Sequence, residues 1–116
     1  LFEGHFKRNY VHVRDVSRAF QHALVNHDKM KGQIYNVGLS DANVSKMELC
    51  EIIKKQCPDF TIMEAQMGKD PDQRNYIVSN AKIEATGFKT EFSLERGIGE
   101  LIKGYTMIKN SLYGNV

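Results

Sequence analysis

The sequence predicts an α/β domain in which short strands alternate with amphipathic helices. Three observations carry that reading. Val16, Ala19, Phe20, Ala23 and Leu24 recur at the spacing of a helix with one apolar stripe. Short β-branched and aromatic runs, such as Tyr10-Val11-His12-Val13, stand between such helices. The 116 residues are 41% apolar and 26% charged, a composition that folds as one domain rather than staying disordered.

Taken in order, Tyr10-Val11-His12-Val13 reads as the first strand, and Asp15 stands where the cap of the first helix belongs. Gly32 ends that helix, and Gln33-Ile34-Tyr35-Asn36-Val37-Gly38 reads as a second strand. Ser45-Lys46-Met47-Glu48 has capping-box spacing and opens a helix with Leu49, Cys50, Ile52 and Ile53 on its apolar side, which Pro58 must end. Phe60-Thr61-Ile62-Met63-Glu64-Ala65 reads as a third strand, Asp70-Pro71-Asp72 as a turn, and Tyr76-Ile77-Val78 as a brief strand. Ser79 or Asn80 caps a short helix that stops at Gly87.

Ser93 opens the last helix, with Leu94, Ile98, Leu101, Ile102, Tyr105 and Ile108 along one face. Gly97, Gly99 and Gly104 each cost this helix about 1 kcal/mol of intrinsic propensity, so packing must hold it. The apolar faces outnumber the partners a chain of this size supplies. A domain that is marginal alone and leans on another is the expectation.

Composition excludes several functions. Net charge is +2 with both signs interspersed, without the basic stripe of a nucleic-acid binder. No run approaches the roughly 18 consecutive apolar residues of a membrane span. Leu1-Phe2-Glu3-Gly4 has no signal-peptide pattern, and the missing initiator Met raises the expectation of a piece of a longer chain. Cys50 and Cys57 form neither a zinc knuckle nor a disulfide scaffold, so a reducing, cytoplasmic setting is expected. His5, His12, His22 and His27 are scattered, which makes a metal site unexpected. No nucleophile elbow, Walker loop or Gly-x-Gly-x-x-Gly is present, and Gly97-Ile98-Gly99 falls inside a helix.

The remaining candidates are arginines at strand and loop edges. Arg8 precedes the first strand and Arg74 follows the Asp70-Pro71-Asp72 turn. A guanidinium fork suits bidentate binding of phosphate, although most arginines are surface charges or ion-pair partners. Tyr76, beside Arg74, could stack on a ligand or sit half in the core.

At these residues the sequence resembles a known family. Arg8-Asn9-Tyr10-Val11-His12-Val13-Arg14-Asp15-Val16 is similar to the Arg-x-(Phe/Tyr)-(Val/Ile)-(His/Tyr)-Val-x-Asp-Val signature of the extended short-chain dehydrogenase/reductases, the NAD-dependent epimerase/dehydratase family of nucleotide-sugar enzymes. Ile34-Tyr35-Asn36-Val37-Gly38 resembles the family's Tyr-Asn-(Ile/Val)-Gly strand, and residues 45–53 its next helix. The run from Asp70 through Arg74 and Tyr76 to Ser79, then Lys82-Ile83 and Gly87-Phe88, resembles the stretch leading to the Lys-(Ile/Leu)…Gly-(Phe/Trp) element. Phe92-Ser93-Leu94-Glu95-Arg96-Gly97-Ile98 resembles the start of the closing helix. Five motifs stand in the family's order across nearly the whole chain.

The resemblance implies the family's carboxyl-terminal, substrate-binding lobe. It places the Gly-rich dinucleotide loop and the Ser/Thr plus Tyr-x-x-x-Lys catalytic set upstream, in a missing amino-terminal Rossmann domain. It implies NAD or NADP in the complete enzyme, a nucleotide-diphosphate sugar as substrate, and a homodimer formed through helices of the other lobe. This chain alone is expected to be inactive. Position by position, Arg8 matches the arginine that reaches the nucleotide diphosphate, and Arg74 matches the later arginine gripping the same phosphates from the opposite side. Tyr76 is a further substrate-binding candidate, and Asp15 matches a helix cap rather than a catalytic group. Arg14, where many members carry an acid, and Glu3-Gly4-His5, where a Gly-rich loop is common, depart from the pattern. The alternative is a free-standing nucleotide-sugar-binding or regulatory module without catalysis.

Overall fold

A computed structural model describes residues 1–65 and 74–108. Among them are two strands and five helices: β1 (Lys7–Asn9), α1 (Val13–Val25), α2 (His27–Met30), β2 (Asn43–Ser45), α3 (Lys46–Gln56), α4 (Ala81–Glu84) and α5 (Leu94–Ile108). The strands pair antiparallel, with Lys7 opposite Ser45, Arg8 opposite Val44 and Asn9 opposite Asn43. The molecule is therefore small and α/β, as expected, but its strands lie elsewhere than expected.

None of the four expected strands (10–13, 33–38, 60–65, 76–78) forms a ladder. The first is shifted upstream, because His12 caps α1 with its own ring: the Arg14 amide donates to His12 Nδ1 at 3.1 Å. The other three join no strand ladder, although the Tyr76 amide donates to the Lys7 carbonyl of β1, and Ile34 is 87% exposed. A β-branched run becomes a strand only when another strand supplies the missing donors and acceptors.

Asparagine side chains take over part of that role. Asn9 donates to the Leu39 carbonyl at 2.7 Å and accepts the Leu39 amide at 3.1 Å, which reproduces a ladder rung with one side chain. Asn43 does the same for Val78, at 3.0 and 2.8 Å. The segments around 39 and 78 are thus tied to the two-stranded sheet without joining it. Gly38 makes this possible, since a Cβ there would stand 2.0 Å from Asn9 Oδ1.

The capping box of α3 is present in full: Ser45 Oγ accepts the Glu48 amide and the Glu48 carboxylate accepts the Ser45 amide. Those hydrogen bonds hold the Glu48 pKa below its ordinary value. Cys57 ends the helix just before Pro58. Ser93 caps α5, accepting the Arg96 amide at 3.2 Å. Gly87, at φ +91, closes the turn after α4 as expected.

Asp15 is a correction: it stands in the first turn of α1 rather than at its cap, and it is completely buried. Its carboxylate accepts the backbone amides of Glu91 and Phe92 and pairs with Arg18 at 2.7 Å, fastening α1 to the start of α5. The main core, Ala19, Met30, Ile83 and Phe88 with Ala23, Tyr35 and Val37 against it, lies on the same side of α1. Phe20 and Leu24, expected in the buried stripe, are instead 71% and 76% exposed.

Candidate functional site

Arg8 lies on β1, and the segment at 75–76 runs beside that strand. The Lys7 amide donates to Asn75 Oδ1 at 2.9 Å, and the Tyr76 amide donates to the Lys7 carbonyl at 3.4 Å. This places the Arg8 guanidinium over the Tyr76 ring, 5.3 Å from its centroid. Arg8 also donates to the Lys7 carbonyl. Arg74 is exposed at the start of the same segment. Tyr10, next along from β1, belongs to this cluster as well. Burial pushes its hydroxyl pKa up, with Arg8 opposing and Cys50 and Tyr76 adding to the rise. The Asp70-Pro71-Asp72 turn that precedes Arg74 lies outside the described residues.

The fold thus joins Arg8 and Tyr76 in one stack and carries Arg74 on the strip bonded to β1. A cation over an aromatic face is an ordered, electropositive edge suited to a phosphate and a flat ring. Asn36 stands apart from this edge and donates to the Ser79 carbonyl at 3.3 Å, a loop tie.

A second constellation escaped the sequence reading. His12, Ser93 and Glu100 line one groove between α1, α3 and α5. These are the residue types of a nucleophile–base–acid set, but each is committed to a helix joint. Ser93 caps α5. His12 spends Nδ1 on the α1 cap, and Nε2 lies 3.2 Å from Glu100 Oε2. The ring also stacks on Phe92, centroids 4.4 Å apart. Burial raises the Glu100 carboxyl, but Arg14, the hydrogen bond from His12 and Arg96 outweigh it and hold its pKa below the usual value. The sequence signal for this joint was the i, i+4 pair Arg96–Glu100.

Gly97 and Gly99 are packing positions rather than a phosphate cradle. A Cβ on Gly97 would lie 3.3 Å from the His12 ring, and one on Gly99 would lie 3.0 Å from Gln56 Oε1. These residues therefore do not fit a dinucleotide. One spacing bears on where a catalytic pair could lie: Tyr105 and Lys109 stand four apart, as in Tyr-x-x-x-Lys. Tyr105 is 52% exposed on α5, away from the Arg8–Tyr76 edge in the chain, and Lys109 lies outside the described residues. Among the described residues no group of three His, Cys, Asp or Glu could hold a metal ion. No described helix is long and apolar enough to cross a membrane.

The fold and this edge define a small α/β unit with an arginine–tyrosine stack at the edge of its two-stranded sheet. No protein-family model matches the chain. Among solved structures it is similar to RMD from Pseudomonas aeruginosa, determined in complex with NADPH, with a TM-score of 0.68 and 23% identity. The likeness covers 89% of this chain and 34% of that one. At that identity it shows the fold. The chain spans about a third of the length of that protein.

Proposed function

We propose that this chain is the carboxyl-terminal, substrate-binding lobe of an NAD- or NADP-dependent enzyme of the extended short-chain dehydrogenase/reductase family. In this reading it binds the diphosphate of a nucleotide sugar. The observation that carries the reading is the Arg8–Tyr76 stack, with Arg74 on the segment bonded beside it. Arg8 and Arg74 would neutralise the two phosphates, and Tyr76 would hold the Arg8 fork in place. Binding energy from the unreacting diphosphate then positions the sugar for chemistry in the other lobe. The dinucleotide supplies hydride transfer in the complete enzyme, and this chain contributes only substrate binding and orientation. The fold likeness to an NADPH-bound protein of about three times the length supports the reading. Exposed Phe20, Leu24 and Ile34 favour a lobe of a larger protein over a free-standing module.

Titration calorimetry of the 116-residue chain with UDP-glucose and GDP-mannose tests this. Binding is expected, and it should weaken about tenfold or more in the Arg8→Ala, Arg74→Ala double variant. Tyr76→Leu should cost about two- to fivefold, the worth of an exposed cation–π contact, while Tyr76→Phe keeps the affinity. A folded chain that binds neither compound at about 1 mM ends the reading.

A further inference from the structure

The groove between the start of α1, α3 and α5 encloses about 530 Å³. Its floor is apolar: Leu39, Leu49, Ile53, Phe92 and Ile98. Its lining also includes Val13 and Leu101, which are 72% and 61% exposed. The apolar surface continues past both. Phe20 and Leu24 lie within about 40° of Val13 around α1, at 100° per residue, and Tyr105 is one turn beyond Leu101 on α5. A small ligand would cover the floor and leave these stripes in water. A polypeptide element lying along both helices covers floor and stripes together.

The charge at the mouth selects the kind of element. Arg14 and Arg96 both approach Glu100 Oε1, at 3.6 and 3.4 Å, and both lie over the Phe92 ring. The His12 ring is engaged on both sides: its Nδ1 accepts the Arg14 amide and its Nε2 lies against Glu100 Oε2. Two guanidiniums thus share one carboxylate and leave an excess positive charge beside an apolar floor.

We infer that this groove seats an acidic amphipathic segment of a second polypeptide lobe. Apolar side chains of the segment lie on the floor, and a carboxylate of the segment pairs with Arg14 and Arg96. The inference rests on the reading of the chain as one lobe of a larger protein and adds the place and chemistry of the contact. It does not involve Arg8, Arg74 or Tyr76.

The probe is a fluorescein-labelled amphipathic peptide of about 15 residues, long enough to form a helix on contact, with Leu and Phe at helical spacing and Glu on the flank. A control peptide carries Lys in place of Glu. By anisotropy against the 116-residue chain, the acidic peptide is expected to bind about tenfold more tightly than the control. The Arg14→Glu, Arg96→Glu double variant should lose that preference. Both side chains are more than half exposed, so this variant is expected to fold, which circular dichroism checks. Glu100→Gln should strengthen acidic-peptide binding severalfold, because it removes the competing carboxylate yet keeps a polar group against His12 Nε2.

Equal binding of the two peptides, indifference to the arginine variants, or no binding by the folded chain each overturns the inference. So does a chain dimer, seen by light scattering, that the acidic peptide dissociates, since the groove then belongs to a second copy. The lobe reading is read separately, from the mass of the native polypeptide in its source cells. A native mass of 13.3 kDa would end that reading whatever the peptides do.

Discussion

The Asp15 carboxylate accepts the backbone amide of Phe92 at 3.1 Å, across 77 residues of chain. The Glu91 amide reaches the same carboxylate at 3.0 Å, and Arg18 completes it at 2.7 Å. One buried side chain therefore ties the first turn of α1 to the residues that lead into α5, beside the groove that Phe92 lines. Asp15→Ala would leave the Glu91 and Phe92 amides without their acceptor, while Arg18 keeps the Lys89 carbonyl and Glu91, and should cost about 2–4 kcal/mol, read as the shift in urea midpoint. Asp15→Asn keeps one acceptor oxygen and should cost less.

The same carboxylate makes stability depend on acid. Burial raises its pKa, but the Glu91 amide, Arg18 and the Phe92 amide outweigh burial, and the pKa lies below the ordinary 3.8. A carboxylate depressed on folding contributes stability that is present above 3.8 and is lost as pH falls through the folded value. Urea midpoints measured down the pH scale should therefore fall below about pH 4 in the parent and stay flatter in Asp15→Asn. Parallel profiles for the two proteins would sink this assignment.

Gly38 carries a different constraint. Asn9 Oδ1 would lie 2.0 Å from a Cβ at that position, and Asn80 Oδ1 3.0 Å from it. Gly38→Ala must therefore push Asn9 out of its paired hydrogen bonds with Leu39. A loss of about 1–3 kcal/mol in unfolding free energy is expected. Asn9→Ala should cost a similar amount by removing the same rung, and the double variant should cost little more than either alone. Additive costs would show that the two residues act separately.

Signals confined to one helix end could be read from the sequence. The capping box at Ser45 and Glu48, the Ser93 cap and the stop at Gly87 depend on neighbours within a few residues, and each formed as expected. What failed was everything that needed a distant partner. The runs at 33–38 and 76–78 have strand composition but join no ladder, and they are held by the Tyr76 amide on the Lys7 carbonyl and by the side chains of Asn36 and Asn43. Asp15 looked like a cap because its partners at 91 and 92 are invisible in local spacing. At the candidate edge, Arg8 and Tyr76 were both singled out, but their stacking depends on the Lys7 pairing with Asn75 and Tyr76, 68 and more residues away. The groove joint of His12 and Glu100, 88 residues apart, gave no sign beyond one helical ion pair.

Phe20 and Leu24 were expected in the core of α1 because the helix carries more apolar positions than one buried side can use. Asp15, Ala19 and Ala23 face the core, while Phe20 and Leu24 are 71% and 76% exposed. Their replacement by Gln should therefore leave the unfolding free energy of the 116-residue chain within about 0.5 kcal/mol of the parent, the usual range for surface changes. Ala19→Gln, one position away on the buried side, should unfold it. The exposed pair should matter instead for association. Phe20→Gln with Leu24→Gln should lower the tendency of the chain to self-associate at high concentration, measured by light scattering. In a longer polypeptide carrying the second lobe, the same double change should lower stability by about 2–4 kcal/mol, because two large side chains then lose a covered site. A longer polypeptide that tolerates both changes without loss would mean that α1 faces water there too, and the two-lobe reading would have to find its interface elsewhere.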